Sequence, residues 1–244
     1  MSFIEEMKKR AKTQIRTIVL PEAEDVRVLK ATENVLKEGY AKIILVGNKD
    51  KVEEVARKNN INIKGAKIVD PLTSEKYDEY VNLLYDLRKI KGMTIEQAKE
   101  LVKDPVYFGV LMVKDKNSEA DGLVSGAVHS TSDTIRPALQ ILKTREGIKL
   151  VSAFFVMVVP NCEYGENGIF IFADSGLNEN PTDEDLSEIA IESGESFKQL
   201  IGKEPQIAML SYSTHGSAKS CLTEKIISAT DKVRKKVPDL IVDG

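Results

Sequence analysis

The chain has 244 residues and a formal net charge of −3, with 42% hydrophobic and 30% charged residues. This composition is typical of a folded globular protein and argues against disorder. The near-neutral charge gives no electrostatic footprint for nucleic acid or for an anionic membrane. The length allows one large domain or two small ones.

Alternating β-branched runs and amphipathic stretches predict an α/β fold with repeated βαβ units. The predicted strands are residues 17–20, 42–46, 67–69, 121–124, 150–159, 169–173, 206–210 and 240–242. The predicted helices are residues 24–38, 49–59, two pieces within 74–103, then 134–142, 184–200 and 218–236. Residues 106–113 fit either a helix or a strand. Residues 150–159 and 169–173 predict an antiparallel pair.

The N-terminal residues MSFIEEMKKRAKTQ lack the apolar core of a signal peptide. The longest apolar run, residues 150–159, is too short to span a bilayer and predicts a buried strand. We therefore expect a cytoplasmic protein that binds neither membrane nor nucleic acid. Cys162 and Cys221 share no ligand spacing with the two histidines, so we expect no metal site and reduced thiols rather than a disulfide.

The pattern changes near Gly147, which predicts two domains, residues 1–146 and 147–244. The sequence stops directly after the strand-like residues 240–242. In open α/β sheets, ligands bind in the loops that follow the carboxyl ends of strands. A sequence that stops there is expected to be C-terminally truncated.

Residues 121–137, DGLVSGAVHSTSDTIRP, predict a strand, a loop rich in Gly, Ser and Thr, and a helix. Small residues let backbone N–H groups approach a ligand, hydroxyls donate to it, and a helix N-terminus attracts an anion. Arg136, near the start of that helix, could add a bidentate phosphate contact. The loop therefore predicts a phosphate or carboxylate site.

Two further loops, residues 173–183 and 211–220, are also polar and follow predicted strands. Each could be an ordinary βα turn, but the three together predict a shared anion-binding cleft. His129 and His215 could donate to a phosphate, act as a base, or only cap a loop. Asp174 could be a base or a cap. No Walker loop, dinucleotide GxGxxG or GxSxG nucleophile motif occurs.

Several segments together resemble the phosphate acetyltransferase (phosphotransacetylase) family. They are ADGLVSGAVHSTSDTIRPALQILKT, FADSGLNENPTDEDLSEIA, AMLSYSTHGSAKS and PDLIVDG, with TIVLPEAEDVRVLKA and KDPVYFGVLMVK before them. The resemblance covers essentially the whole chain, and the first of these segments is highly specific. The related phosphate butyryltransferases match that segment less closely.

The resemblance implies an enzyme that interconverts acetyl-CoA and phosphate with CoA and acetyl phosphate. It implies two α/β domains of the isocitrate/isopropylmalate dehydrogenase type, with the active site in the interdomain cleft. The partners implied are coenzyme A as a substrate, acetyl phosphate, inorganic phosphate and a second copy in a homodimer. No tightly bound cofactor is implied.

The resemblance also implies roles for particular residues, although the local pattern alone makes Arg88 a surface helix residue. The implied catalytic residues are Arg136, Ser125 and Thr131. The implied residues for binding CoA or phosphate are Arg88, Gly126, His129, Ser130, Asp174, Ser175 and Asn178.

Two alternatives stay open: an acyltransferase for longer groups such as butyryl, and a CoA- or phosphate-binding module without catalysis. A metal-dependent decarboxylating dehydrogenase is not supported, because no cluster of Asp ligands is visible in the sequence.

The family's Ser-Arg pair and its downstream Asp, the proposed base for the CoA thiol, find no match before Gly244. We therefore expect little or no acetyl transfer by this chain alone. The reading frame beyond Gly244 tests the expectation. A Ser-Arg pair followed by an Asp supports it, and normal acetyl phosphate formation by the 244 residues contradicts it.

Overall fold

The structure is a computed structural model that describes residues 2–214 and 216–244. The chain divides into two compact units, one ending at Lys143 and the other running from Thr144 to Gly244. The two units are described separately below.

A parallel sheet forms the centre of the first unit. Its strands are β1 (Arg16–Leu20), β2 (Ala41–Val46), β3 (Lys67–Val69) and β4 (Gly122–Leu123), in the order β3-β2-β1-β4. All three pairings are parallel. The four strands predicted for this part of the sequence are confirmed, and β4 is shorter than predicted.

Helices connect these strands, and most were predicted. They are α1 (Phe3–Thr13), α2 (Val26–Glu38), α3 (Lys49–Lys58), α4 (Tyr77–Arg88), α5 (Ile95–Val102), α6 (Pro105–Lys114) and α7 (Thr131–Ile141). Gly39 ends α2 with φ +70°, a backbone conformation that glycine adopts without strain. Thr94 and Gln97 form the predicted capping box of α5. α1 was not predicted, and it buries no side chain.

Both faces of the sheet are covered, as parallel strands require. Alternate residues of β2 divide between two apolar clusters. Ile43 and Leu45 pack with α2 and α3. Ile44 and Val46 pack with α4, α5 and α6. The uninterrupted apolar run in β2 follows directly from this burial on two sides.

Residues 106–113, for which the sequence allowed either a helix or a strand, lie in the buried helix α6. Asp104 decides the outcome locally: its Oδ1 accepts the backbone N–H groups of Val106 at 2.8 Å and Tyr107 at 3.1 Å. Pro105 occupies the first turn, where a missing N–H costs nothing. Because nearly every side chain of α6 is buried, no helical periodicity of apolar residues marks it in the sequence.

The second unit combines a hairpin, two long helices and a parallel strand pair. Its elements are β5 (Phe154–Val158), β6 (Ile169–Ala173), α8 (Asp183–Ile201), β7 (Gln206–Ala208), α9 (Cys221–Lys236) and β8 (Ile241–Asp243). β5 and β6 are antiparallel as predicted, and β7 and β8 are parallel. Thr182 caps α8 as predicted, whereas α9 begins later than predicted because Ser220 caps it.

The prediction that residues 150–159 form a buried strand was wrong about burial. Phe155 is 61% exposed and Met157 is 39% exposed, and both lie on one face of β5. Phe172, the register partner of Phe155, is 54% exposed. Apolar composition alone therefore predicted the strand correctly, but it did not predict how far its side chains are exposed.

Within residues 2–214 and 216–244, no helix combines the length and apolar character needed to cross a membrane.

Gly109 lets α6 approach the sheet closely. A Cβ added there would lie 2.8 Å from Leu123 Cδ1 and 3.0 Å from Val19 Cγ1. We expect Gly109→Ala to lower the free energy of unfolding by about 1–3 kcal/mol through overpacking. Gly47→Ala is the control, because its Cβ meets neighbours at 3.4 Å and 3.6 Å. Urea denaturation compares them, and equal stability of the two variants contradicts the packing argument.

Candidate functional site

Two neighbouring parallel strands deliver the site residues of the first unit to one edge of the sheet. Ile18 pairs with Gly122 and Val19 pairs with Leu123, so β1 and β4 end side by side. The N–H of Val124 donates to the carbonyl of Val19 at 3.0 Å. Glu22 follows β1, and the loop that begins at Ser125 follows β4.

The Glu22 carboxylate fills the centre of this loop. Its Oε2 accepts the backbone N–H groups of Gly126 at 2.8 Å and Ala127 at 2.7 Å. Its Oε1 accepts those of Val128 at 2.8 Å and His129 at 2.9 Å. The Nδ1 atom of His129 lies 2.8 Å from the same Oε1. An anion does occupy this part of the loop, and it belongs to the protein.

These contacts keep Glu22 ionised. Its side chain is only 2% exposed, and burial raises the pKa of Glu22. Backbone hydrogen bonds from Val128, His129 and Ala127, with the bond from the His129 ring, more than offset burial and lower the pKa to about 2. An ionised carboxylate only accepts hydrogen bonds, so Nδ1 of His129 carries the proton and donates.

Backbone conformation and Arg27 complete the frame of the loop. Gly126 has φ +113°, where a residue with a Cβ is strained. Nη2 of Arg27 donates to the carbonyl of Ala127 at 2.6 Å, and its guanidinium also bonds to the Asp25 carboxylate. The loop is therefore held from both its N–H side and its carbonyl side.

The first turn of α7 keeps donors that the loop does not use. Ser130 caps the helix: its Oγ accepts the N–H of Asp133 at 3.2 Å and donates to the Asp133 carboxylate at 2.7 Å. No described residue accepts the backbone N–H of Thr131 or Ser132. The buried Oγ of Ser125 also lacks a hydrogen-bond partner among the described residues.

Two arginines from different helices act electrostatically on the hydroxyl of Tyr107 in α6. Burial raises the pKa of the Tyr107 hydroxyl, while the positive charges of Arg136 and Arg88 lower it. That hydroxyl donates to Oε1 of Gln140 at 2.9 Å. Arg136 lies exposed on α7, and Arg88 is the half-buried last residue of α4.

The local sequence pattern predicts that Arg88 lies on the surface, but its side chain is only partly exposed. Its Nε is buried and has no hydrogen-bond partner among the described residues. A buried guanidinium nitrogen without a partner costs free energy, which favours an acceptor supplied by a ligand.

The predicted site residues of the second unit follow β6. Asp174 has φ +58°, and desolvation raises its pKa while the charge of Lys225 lowers it. The Oγ of Ser175 donates to the carbonyl of Phe172 at 3.3 Å, and Nδ2 of Asn178 donates to that of Val151 at 3.3 Å. The Ser175 bond lies within its own turn, and the Asn178 bond joins the turn to the segment before β5.

The third predicted loop is described in part. His215 lies outside the described residues. Around it, Oγ of Ser217 donates to the carbonyl of Thr214 at 2.8 Å and lies 2.9 Å from Oγ of Ser213. The described loop residues thus use their hydroxyls on each other.

Sequence reasoning brought the loop residues and Arg136 together but missed Glu22 and Tyr107. Glu22 stands two residues after β1, but its contact with the loop depends on β1 and β4 being neighbours, which the sequence does not show. Among residues 2–214 and 216–244, no group of three His, Cys, Asp or Glu side chains could hold a metal ion.

The protein has an α/β fold. In its loop before α7, four backbone N–H groups bind the Glu22 carboxylate, and the first turn of α7 keeps N–H groups without a described acceptor. Comparison with known proteins identifies the class. A family model described as "Phosphate acetyl/butaryl transferase" matches residues 2–244. The chain therefore belongs to that family, and the resemblance noted in its sequence is confirmed.

Individual relatives agree with the family match. The phosphate acetyltransferase of Acetivibrio thermocellus is 57% identical over 244 residues, which are all of this chain and 72% of the relative. That of Thermoanaerobacterium thermosaccharolyticum is 50% identical and 73% covered. A solved phosphotransacetylase from Streptococcus pyogenes is 36% identical with a TM-score of 0.90, over 100% of this chain and 73% of that one.

The pKa of Glu22 predicts a specific pH dependence of stability. Its folded-state pKa is lowered from 4.5 to about 2, so its contribution is complete above pH 4.5 and is lost as the pH falls towards 2. At neutral pH this linkage is worth about 3 kcal/mol.

We expect Glu22→Gln to be destabilised relative to wild type at pH 7 and to approach wild type near pH 2. Denaturant unfolding across this range measures the difference. A stability difference that stays constant with pH contradicts the assignment.

Proposed function

We propose that this chain is part of an enzyme that catalyses acetyl transfer between coenzyme A and inorganic phosphate. The observation that carries the proposal is the relationship over the entire chain to proteins named phosphate acetyltransferase, at 57% and 50% identity. The donors at the edge of the first unit supply the chemistry that a phosphate substrate needs.

The phosphate subsite is proposed at the first turn of α7. The N–H groups of Thr131 and Ser132 have no described acceptor, and the helix N-terminus favours an anion. Arg136 lies farther along α7, and helical side chains lean towards the N-terminus, so its guanidinium can reach the same anion. The Ser125 hydroxyl adds a donor, because its Oγ has no described partner, while Ser130 holds the first turn through its two bonds to Asp133. Each hydrogen bond to a charged group is worth about 1.5–3 kcal/mol.

Glu22 changes the role proposed for the preceding loop residues. The N–H groups of residues 126–129 are already bonded to its carboxylate. Gly126 therefore contributes its left-handed backbone conformation, and His129 contributes its ring. Ligand contacts then come from the Ser125 hydroxyl, the His129 ring and the residues after His129.

Arg88 is the proposed contact for coenzyme A. Its buried Nε lacks a described partner, and a phosphate group of the cofactor is an acceptor of the right charge. Asp174, Ser175 and Asn178 are proposed as binding residues of the second unit. Coenzyme A acts as a substrate, with no tightly bound cofactor required.

The proposed reaction is direct transfer in a ternary complex. The CoA thiolate attacks the carbonyl carbon of acetyl phosphate, the C–S bond forms, and the C–O bond to phosphate breaks to release inorganic phosphate. Holding both substrates in place supplies up to about 7–11 kcal/mol of the barrier reduction. Donors directed at the carbonyl oxygen stabilise the tetrahedral state. The reverse direction forms acetyl phosphate.

Longer acyl groups are the second candidate, because the family description includes both acetyl and butyryl transfer. Competition between acetyl-CoA and butyryl-CoA in an acyl phosphate assay separates them. A homodimer, a cytoplasmic location and the two-domain dehydrogenase-type architecture are further parts of the proposal, and they rest on the family resemblance.

Acetyl phosphate formation from acetyl-CoA and phosphate tests the function directly. Two preparations are assayed: this chain, and the product of its complete reading frame. We expect full activity from the second and little from the first. If the complete product binds CoA by calorimetry but forms no acetyl phosphate, the protein is a binding module and the proposal fails.

Arg136→Gln should weaken phosphate binding about tenfold or more, because one charge-assisted contact is lost. Arg57→Gln is the matched control, since Arg57 is an exposed arginine of α3 outside the site. Calorimetric titration with inorganic phosphate compares them. Equal affinities in the two variants contradict the role of Arg136.

A further inference from the structure

The Glu22 carboxylate is nearly inaccessible, and the proposed chemistry leaves it without a role. Its oxygens accept four backbone N–H groups and the Nδ1–H of His129, all within 2.9 Å. A nest of consecutive N–H groups usually binds an external anion. Here the anion is built into the chain, so the loop keeps its shape without a ligand.

The consequence for His129 is chemical as well as structural. Because the ionised carboxylate accepts the Nδ1 proton, the neutral form of the ring carries its lone pair on Nε2. No described residue hydrogen-bonds to Nε2, and the side chain is 27% exposed. His129 directly precedes Ser130, the cap of α7. An unused acceptor is therefore held next to the donors of the helix start.

We propose that Glu22 is the positioning residue of this site: it presets the loop and fixes His129 with Nε2 as a hydrogen-bond acceptor. The assignment rests on the proposed function for the identity of the ligand, inorganic phosphate, whose P–OH group donates to Nε2. Glu22 does not touch that ligand. It acts through the backbone of residues 126–129 and through the imidazole of His129.

A glutamine in place of Glu22 is the sharpest variant. It is nearly isosteric, but its NH₂ group would face N–H donors that now meet an oxygen. Asp121→Asn is the matched control: Asp121 also joins β1 to the β4 segment, accepting the N–H of Thr17 at 2.8 Å and a bond from Arg16 at 2.7 Å. Those contacts lie at the opposite ends of the two strands.

We expect Glu22→Gln to weaken binding of inorganic phosphate about tenfold, measured by calorimetry with the 244-residue chain. Asp121→Asn should bind phosphate as wild type does. Glu22→Asp should recover part of the affinity, because it restores a carboxylate one methylene shorter. Equal phosphate affinity in Glu22→Gln and Asp121→Asn overturns the proposal.

A spectroscopic readout needs no variant to fold. In wild type at neutral pH, ¹⁵N-edited NMR should show the imidazole proton of His129 on Nδ1 and a lone pair on Nε2. A proton on Nε2, whether or not Nδ1 also carries one, overturns the proposal. The spectrum is independent of acetyl transfer: an inactive protein with the Nδ1–H tautomer would remove the proposed function and leave the position of Glu22 established.

Discussion

The first unit depends on one buried charge, the Glu22 carboxylate. Burying a carboxylate is costly unless donors replace its water, and here four backbone amides and an imidazole do so. The exchange orders a Gly- and Ser-rich loop that would otherwise have little reason to adopt one conformation. Because the loop leads directly into α7, the same bonds also determine where that helix begins.

This arrangement divides the loop into two functional parts. The backbone N–H groups of residues 126–129 donate to Glu22, so these residues fix the conformation of the loop. Thr131 and Ser132 keep backbone N–H groups without a described acceptor and lie on the same helix as Arg136, so we propose that this part binds the ligand. In that proposal the binding surface is already formed before the ligand arrives, and the ordering cost is met by folding rather than by binding.

Much of the fold could be predicted because its signals are local. β2 shows a buried apolar run, Gly39 ends α2, and Thr94 begins α5 through a capping box. The failures were also physical. α6 is buried on nearly all sides and therefore has no amphipathic pattern. α1 buries no side chain, so it has no apolar face to recognise. The apolar run of β5 indicates a strand but does not show whether its side chains are buried.

The candidate site was predicted in part for the same reason. A Gly/Ser-rich loop before a helix is typical of an anion-binding site, and the sequence therefore predicted such a site at residues 125–136. It could not show that the anion is Glu22, because the contact joins residues more than one hundred positions apart and depends on β1 and β4 being neighbours. The approach of Arg88 to Tyr107 depends likewise on how α4 packs against α6.

Hydrogen exchange of the backbone amides of residues 126–129 tests this account most directly. If the Glu22 carboxylate holds them, their protection should match that of Val124, whose N–H is bonded within the sheet. Exchange at the rate of an exposed loop would show that the nest is not formed in solution and would contradict the account.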